Sequence, residues 1–291
     1  MGGHCGLNAW QSDSEIIHST SKDPVGPYTF KSLVLPHFAH GPSVRKMPNG
    51  NYFMMHLGCG YPFTPFKNCT RKSADAPPPP KAPQCNQFNV SVMTATSLDG
   101  PWTGQTSAGG KQVFLSSGPR PAKESWYVPS GRQFSNPAPH FLANGSILCA
   151  YRADARSGGE HVSVALAQTA DSSNYVDSRG TAAVGSYNGE DPFLWQDERR
   201  HWHMLMHNMQ GPLGVGSHAF SRDGVSWSRS ATAPYTHAVT YEDGSVVKMG
   251  RRERPQLLLS DEGQPRYFSS GVELPNGQEV YTLVMAVKSK K

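Results

Sequence analysis

The chain has 291 residues, of which 37% are hydrophobic and 17% are charged, so one large globular unit fits it and wholesale disorder does not. The net charge is a mild +5 with scattered basic residues, which disfavours a nucleic-acid partner. No stretch approaches the roughly 20 apolar residues that span a bilayer, so we expect no membrane segment. The 29 Gly and 24 Pro residues favour many short strands joined by tight turns.

Glycosylation triplets and cysteines favour a secretory monomer, although the first residues contain no signal peptide. Two of three cysteines around a Cys/Pro-rich insertion at 59–88 are candidates for a disulfide, and the odd count leaves a free thiol. Cys149 lies in an apolar run, which predicts a buried thiol. The triplets begin at Asn68, Asn89 and Asn144, and the insertion cysteines are Cys59, Cys69 and Cys85.

One two-part unit recurs along the chain. Its first part is a polar residue or pair before Pro, an apolar run, a turn with Gly or charges, and a second, aromatic-rich strand. Asn-Gly between two apolar runs predicts a hairpin, because both turn residues need positive φ. The copies begin at His40-Gly41-Pro42, Asn136-Pro137, Glu190-Asp191-Pro192 and Glu253-Arg254-Pro255.

The second part of the unit is a Ser/Asp turn ahead of an aromatic residue on a last, outer strand. Two hairpins per unit give four strands, which is the number in a propeller blade. The copies of this turn run from Ser21 to Tyr28, from Ser97 to Trp102 and from Ser221 to Trp227.

These repeats predict an all-β, five-bladed β-propeller whose first blade is incomplete at the N-terminus. A β-sandwich would explain short strands and Pro/Gly turns, but not the same unit recurring in order. Residues 6–30 hold only the outer half of a blade, and the inner strands that should precede it are not in the sequence. The predicted single domain, 1–291, has a partial blade at 1–35 and blades at about 36–105, 130–180, 187–232 and 238–287.

Polar residues are expected to gather at one mouth of the propeller, where the innermost strands begin. Burying them costs free energy, so they need partners or a function. Carboxylates and guanidiniums around one funnel suit a sugar, whose hydroxyls accept and donate paired hydrogen bonds and whose rings stack on aromatics such as Trp195. The residues predicted at or near this mouth are His40, Asn136, Glu190, Asp191, Arg252, Glu253 and Arg254.

Inner strands that open on a polar-Pro pair, and outer strands that read Ser-x-Asp-Gly-Pro-Trp, resemble the glycoside hydrolase family 43 clan of arabinanases, xylosidases and fructosidases. The resemblance implies an Asp base, an Asp that tunes its partner and a Glu acid on successive inner strands. The Glu corresponds best to Glu190, two residues before Pro192. His140, which we count among the substrate-binding candidates, stands where the tuning Asp would follow Ala138-Pro139. His40 stands where the base should open its strand, and the alternative place for the base is the inner strand expected before residue 1.

The chemistry implied by the resemblance is inversion by two carboxyl groups about 6.5 to 9.5 Å apart, one acid and one base. Glu190 is the acid candidate, with Asp191 or Glu253 as the second carboxylate. A purely structural interpretation stays open, in which Glu190 or Asp191 caps backbone amides and Glu253 pairs with Arg252 or Arg254.

Two further groups bear on the site. Arg152 is either a substrate clamp or a surface ion pair. His203 and His207 share a strand face, but no zinc-ligand spacing is present, so we expect core or axis histidines. We predict no metal or cofactor, apart from a structural cation in the central channel as in some family relatives.

The leading functional hypothesis is a glycoside hydrolase that acts on a polysaccharide or its oligosaccharides. The alternatives are a non-catalytic propeller that binds glycans or proteins, and an inactive fragment of a hydrolase. The partner predicted for the first hypothesis is a carbohydrate substrate.

Overall fold

A computed structural model describes residues 2–3, 14–36, 39–58, 90–105, 135–154, 160–167, 175–176, 189–209, 215–277 and 279–288. Every helix or strand element in these ranges is a β-strand, which confirms the all-β prediction. Within the same ranges, the structure has no helix with the length and apolar character needed to cross a membrane.

The strands form antiparallel sheets whose order follows the chain. The first sheet contains β1 (Gly2–Gly3), β2 (Glu15–Thr20) and β3 (Thr29–Leu35). The second contains β4 (Ala39–Lys46), β5 (Tyr52–Gly58), β6 (Val90–Ala95) and β7 (Thr103–Gln105). The third contains β8 (Ser135–Phe141), β9 (Ile147–Asp154), β10 (Glu160–Ala167) and β11 (Tyr175–Val176).

The C-terminal half continues the same pattern. The fourth sheet contains β12 (Gly189–Gln196), β13 (Trp202–Asn208), β14 (Gly216–Ser221) and β15 (Ser228–Arg229). A hairpin of β16 (Ala238–Thr240) and β17 (Val246–Lys248) follows. The fifth large sheet contains β18 (Arg251–Leu259), β19 (Pro265–Glu273) and β20 (Val280–Ala286).

The predicted hairpin and outer-strand turns are present, and local hydrogen bonds explain them. Gly50 has a φ of 88° and donates its N–H to Met47 O at 2.9 Å, closing the turn between β4 and β5. At the outer-strand turns, an Asp or Ser side chain accepts a backbone N–H two residues on, as in an Asx-turn. Asp23 accepts from Val25 at 2.9 Å and Asp223 accepts from Val225 at 2.8 Å.

Apolar side chains fill the space between consecutive sheets. Leu194 on β12 is fully buried in a cluster with Leu148 and Val162 of the third sheet, and Phe193 packs against Leu257 of the fifth. Side chains alternate between the two faces of a strand, so β12 contacts one neighbouring sheet with even positions and the other with odd positions. The inner strands are thereby held side by side with their first residues at one end.

The structure adds one element to the predicted blade at 238–287, because this range contains the β16–β17 hairpin as well as the fifth large sheet. Val239 and Met249 of the hairpin segment pack against Val272 of β19. Cys149 is buried as a free thiol, which confirms its prediction, and burial raises its pKa to about 12. The insertion at 59–88 with its three cysteines, and Asn68 and Asn89, lie outside the described residues.

Candidate active site

The same backbone irregularity occurs near the start of four inner strands. In β4, β8, β12 and β18, the register with the next strand shifts across the residue that precedes Pro. Pro has no N–H to give to a sheet ladder, so a bulge is the place where an inner strand accepts it. The residue before each Pro has a positive φ: 59° at Gly41, 52° at Asn136, 53° at Asp191 and 55° at Arg254.

This bulge changes which side chains meet. In a regular strand, Glu190 and Asp191 would point to opposite faces of the sheet. With Asp191 in the left-handed region, an oxygen of each carboxyl lies within 4.8 Å of the other and of a His207 ring nitrogen. We call the residues at these strand starts and their direct partners the mouth cluster: Ser14, His40, Asn136, Arg152, Glu190, Asp191, His207, Arg251, Glu253 and Arg254.

Glu190 is held as a carboxylate by an arginine and by a histidine whose pKa is raised. Arg152 Nη1 lies 2.7 Å from Glu190 Oε2, and His207 Nδ1 lies 3.4 Å from Glu190 Oε1. His207 is the register partner of Glu190 on β13. Burial pushes the pKa of Glu190 up, but His207 and Arg152 outweigh it and lower the pKa below its ordinary value. Glu190 therefore stays ionised.

Asp191 has the opposite tendency. Its exposed fraction is only 6%, and its pKa is raised by burial and by the charges of Glu190 and Glu253, against the opposing effect of Arg254. Oδ1 accepts a short hydrogen bond from Asn136 Nδ2 and lies 3.6 Å from Arg254 Nη1. Oδ2 is buried and has no hydrogen-bond partner among the described residues, so it is the oxygen with room for a proton.

The purely structural interpretation had paired Glu253 with Arg252 or Arg254. Within the described part of the chain, Glu253 is in a close ion pair with Arg251, and no ion pair joins it to Arg252 or Arg254. Residues two apart share one face of a strand, which favours the Arg251 pair over the adjacent arginines.

Arg252 is buried between the β16–β17 hairpin and the fifth sheet. Its guanidinium donates to Thr236 O at 2.9 Å and to Ser270 Oγ at 3.2 Å. It also lies 5.3 Å from the centre of the Tyr235 ring. The structure thus places Arg252 among structural contacts, and its predicted substrate role stays a prediction.

His40 and Arg254 meet across the mouth. Arg254 Nη2 donates to His40 Nε2 at 2.9 Å, and His40 Nδ1 lies 2.7 Å from Ser14 Oγ. Burial lowers the pKa of Arg254, but the charges of Asp191, Glu190 and Glu253 outweigh this effect and raise it.

Two predicted sugar-contacting residues lie between sheets. Trp195 stacks on His203 with ring centres 5.1 Å apart, and His140 meets Trp202 edge-on at 5.0 Å. Within the described ranges, no hydrogen bond, ion pair or ring contact joins Trp195 or His140 to the mouth cluster. Position explains this, since both come three or more residues after the bulge, further along the inner strands.

The mouth cluster includes three side chains that are close enough together to ligate a metal ion: Glu190, Asp191 and His207. Arg152 and Arg254 already lie against the two carboxylates, so a cation there would compete with two guanidiniums. The charge balance fits polar organic ligands better than a bare divalent ion.

Sequence reasoning did not name Ser14 and Arg251 as site residues, and it predicted His207 as a core or axis histidine. A sequence signal existed for Arg251, which is two residues from Glu253 in a strand with a period of two. Ser14 has no such signal, because its partner His40 is 26 residues away.

No protein-family model matches the chain, and no curated protein matches it. Solved structures do match. An endo-1,4-β-xylanase from Bacteroides thetaiotaomicron aligns with a TM-score of 0.60 and 12% identity, over 98% of this chain and 84% of that one. An endo-arabinase from the same organism aligns with a TM-score of 0.56 and 12% identity, over 95% of this chain and 87% of that one.

A family 43 β-xylosidase/α-arabinofuranosidase from a compost microbial metagenome gives the same picture, with a TM-score of 0.54 and 11% identity over 94% of this chain and 78% of that one. At these identities the likeness concerns the fold. The chain has a fold like that of family 43 glycoside hydrolases, which confirms the resemblance predicted from its strand motifs.

Proposed function

We propose that this chain is a glycoside hydrolase that cleaves O-glycosidic bonds in a poly- or oligosaccharide. The observation that carries the proposal is the pair Glu190 and Asp191, two neighbouring carboxyl groups whose pKa values are shifted in opposite directions. Pairs of titratable groups whose surroundings separate their proton affinities supply the base and the acid in many hydrolytic sites. The family 43-like fold supports a carbohydrate as the substrate.

The environment of Glu190 changes the role that the resemblance implied for it. A general acid needs a raised pKa, whereas Arg152 and His207 keep Glu190 ionised. We therefore assign Glu190 the ionised role, as the base that activates water or as the nucleophile. Asp191 and Glu253 are the two candidates for the proton donor.

The stereochemical outcome separates these two donors. Inversion needs carboxyl groups about 6.5 to 9.5 Å apart, and retention needs about 5 to 5.5 Å. Asp191 and Glu190 have oxygens within 4.8 Å, which is too close for a water between them and fits retention. Inversion would instead select Glu253. Proton NMR of the first sugar anomer released from an aryl glycoside shows directly whether the anomeric configuration is inverted or retained.

The activity itself is tested on aryl arabinosides and xylosides, chosen because the structural neighbours are named for arabinan and xylan linkages. Glu190→Gln is expected to lose about a hundredfold to ten-thousandfold in kcat/KM, the usual contribution of one acid or base. Asp197→Asn is the matched control, since Asp197 is a carboxylate at the opposite end of β12 with its own arginine. Equal activity of Glu190→Gln and the parent would overturn the proposal.

Leaving-group dependence identifies the donor independently. A phenol of low pKa departs without being protonated. Loss of the general acid therefore has little effect on the hydrolysis rate of its glycosides, but it slows the hydrolysis of alkyl glycosides. Asp191→Asn and Glu253→Gln are compared on both substrate types, and the variant with the larger gap between them has lost the donor.

A non-catalytic glycan-binding function is the second candidate, because each carboxylate of the mouth cluster has a hydrogen-bonding or ionic partner in the described structure. Titration calorimetry with xylo- and arabino-oligosaccharides, followed by assay for reducing ends, separates the two. Binding without any release of reducing sugar would favour this candidate.

We also infer that the sheets are the blades of a five-bladed propeller. Five sheets of three or four strands follow one another along the chain, and successive inner strands contact each other. An experimental structure with a different number of blades would overturn this inference.

A further inference from the structure

A row of polar contacts crosses the mouth. It includes one residue from each of the five larger sheets, located either in a strand of that sheet or just before one. It runs from Ser14, just before β2, to His40 on β4, and from there to Arg254 on β18. Arg254 then lies against Asp191 on β12, which accepts from Asn136 on β8. Parts of the chain up to 214 residues apart are thus connected at one point.

The direction of the hydrogen bonds fixes the proton on His40. A guanidinium has only donors, so Arg254 Nη2 donates and His40 Nε2 must accept with a bare lone pair. In the neutral ring, Nδ1 then carries the hydrogen and donates it to Ser14 Oγ at 2.7 Å. Ser14 has no exposed surface and His40 has 5%, so bulk water does not substitute for either partner.

Arg254 depends on this contact. Its bond to His40 is the only hydrogen bond of its side chain within the described ranges, and its side chain is 38% exposed. The backbone of Arg254 has a φ of 55°, a conformation that is strained in a non-Gly residue. A long, half-exposed side chain on a strained backbone needs a fixed partner to stay beside Asp191.

We propose that His40, locked as the Nδ1–H tautomer by Ser14, is a positioning residue that holds the Arg254 guanidinium against Asp191. This inference rests on the proposed function, in which Asp191 is one of the two candidate proton donors. His40 was predicted to touch substrate. With both ring nitrogens engaged by protein groups, it acts through Arg254 instead.

The first test needs no activity. Long-range ¹H–¹⁵N NMR of histidine-labelled protein identifies the tautomer, with His40→Gln used to assign the signal. We expect a fixed Nδ1–H tautomer in the parent and a mixture of tautomers in Arg254→Met, which removes the donor and keeps the stem. A fixed Nε2–H tautomer in the parent would overturn the proposal whether or not the protein hydrolyses glycosides.

The second test uses two variants of matched size and polarity. The amide of His40→Gln reaches the position of Nε2 and can accept from Arg254, whereas the shorter amide of His40→Asn reaches only the Ser14 side. A hydrogen bond to a charged group is worth about 1.5–3 kcal/mol, so His40→Asn should lose about tenfold to a hundredfold in kcat/KM. His40→Gln should recover most of that loss.

The two tests distinguish a failure of the proposed function from a failure of the positioning role of His40. If the parent has no glycosidase activity, the proposed function fails and the NMR result still decides whether His40 holds Arg254. If the parent is active and His40→Gln falls as far as His40→Asn, with both melting like the parent, positioning through Arg254 is wrong. Thermal unfolding of each variant checks that the comparison concerns folded protein.

Discussion

The two ends of strand β12 each carry a carboxylate with an arginine, and the two pairs are built differently. Glu190 at the mouth pairs with Arg152, and their side chains are 16% and 15% exposed. Asp197, just after the strand, pairs with Arg199, whose side chain is 67% exposed. The first pair joins two sheets across 38 residues, whereas the second closes a turn between residues two apart.

The histidines of the same sheet differ in the same way. His207 lies beside Glu190. Burial lowers the pKa of His207, but the carboxylates of the mouth outweigh this effect and raise it. His218 is 3.1 Å from the neutral ring of His203, and burial lowers its pKa to about 4. A buried ionisable group keeps its charge only where opposite charges face it, and it becomes neutral elsewhere. The sheet thus carries one histidine whose pKa is raised by the carboxylates of the mouth and another, away from them, whose pKa is lowered.

The largest expected effect concerns three neutral histidines, of which His56 is fully buried and His140 and His218 are partly buried. Burial lowers the pKa of His56, His140 and His218 to about 4 each. The unfolded chain binds these protons near pH 6.5, so stability is lost as pH falls from about 6.5 towards 4. The slope is about 1.4 kcal/mol per pH unit for each histidine, or about 4 kcal/mol for three.

Urea unfolding at several pH values between 7.5 and 4.5 measures this slope. His207, with its raised pKa, acts in the opposite direction by adding stability at low pH that is lost as pH rises. His218→Gln should reduce the slope by about one third. A free energy of unfolding that stays constant between pH 6.5 and 5 would contradict the lowered pKa values of these histidines.

The next effect compares the two ion pairs. Arg152→Met leaves Glu190 partly buried without its closest cation and should cost about 2–3 kcal/mol, less than a fully buried pair because both groups retain some exposure. Arg199→Met is the matched control and should cost less than about 0.5 kcal/mol. Chemical denaturation of both variants makes the measurement. Equal losses would show that the mouth pair is no more enclosed than a surface pair.

A double variant sharpens this result. If the loss in Arg152→Met comes from an uncompensated carboxylate, adding Glu190→Gln should recover much of it. Strictly additive losses would assign the effect to packing of the Arg152 stem instead.

The smallest effect concerns the bulge that creates the mouth. Gly41 has a φ of 59°, and an added Cβ would meet only Arg254 Nη1 at 3.7 Å, an ordinary contact. Gly41→Ala should therefore cost about 1–2 kcal/mol through backbone strain alone, and Gly41→Asn should cost less because Asn tolerates this region. Melting temperatures of the two variants test the order. If Asn were worse than Ala, crowding near Arg254 and not φ would limit the position.

The sequence by itself determined the local structure. Asn-Gly and Ser/Asp turns build their hydrogen bonds among neighbouring residues, so the hairpins of Gly50 and Asp223 follow from short segments. The alternation and recurrence of the strands led to the family 43 resemblance and to an all-β chain. The same patterns brought His40, Asn136, Glu190, Asp191 and Arg254 to one place.

Only the tertiary structure decided what these residues do to one another. The register shift before Pro192 turned Asp191 towards Glu190, and the packing of different sheets supplied Arg152, His207 and Ser14 as partners. The physical reason is range: a turn depends on atoms a few residues apart, whereas a buried carboxylate takes its charge state from groups far away along the chain. The pKa values of the two carboxyl groups at the mouth are shifted in opposite directions only because the folded sheets bring these partners together.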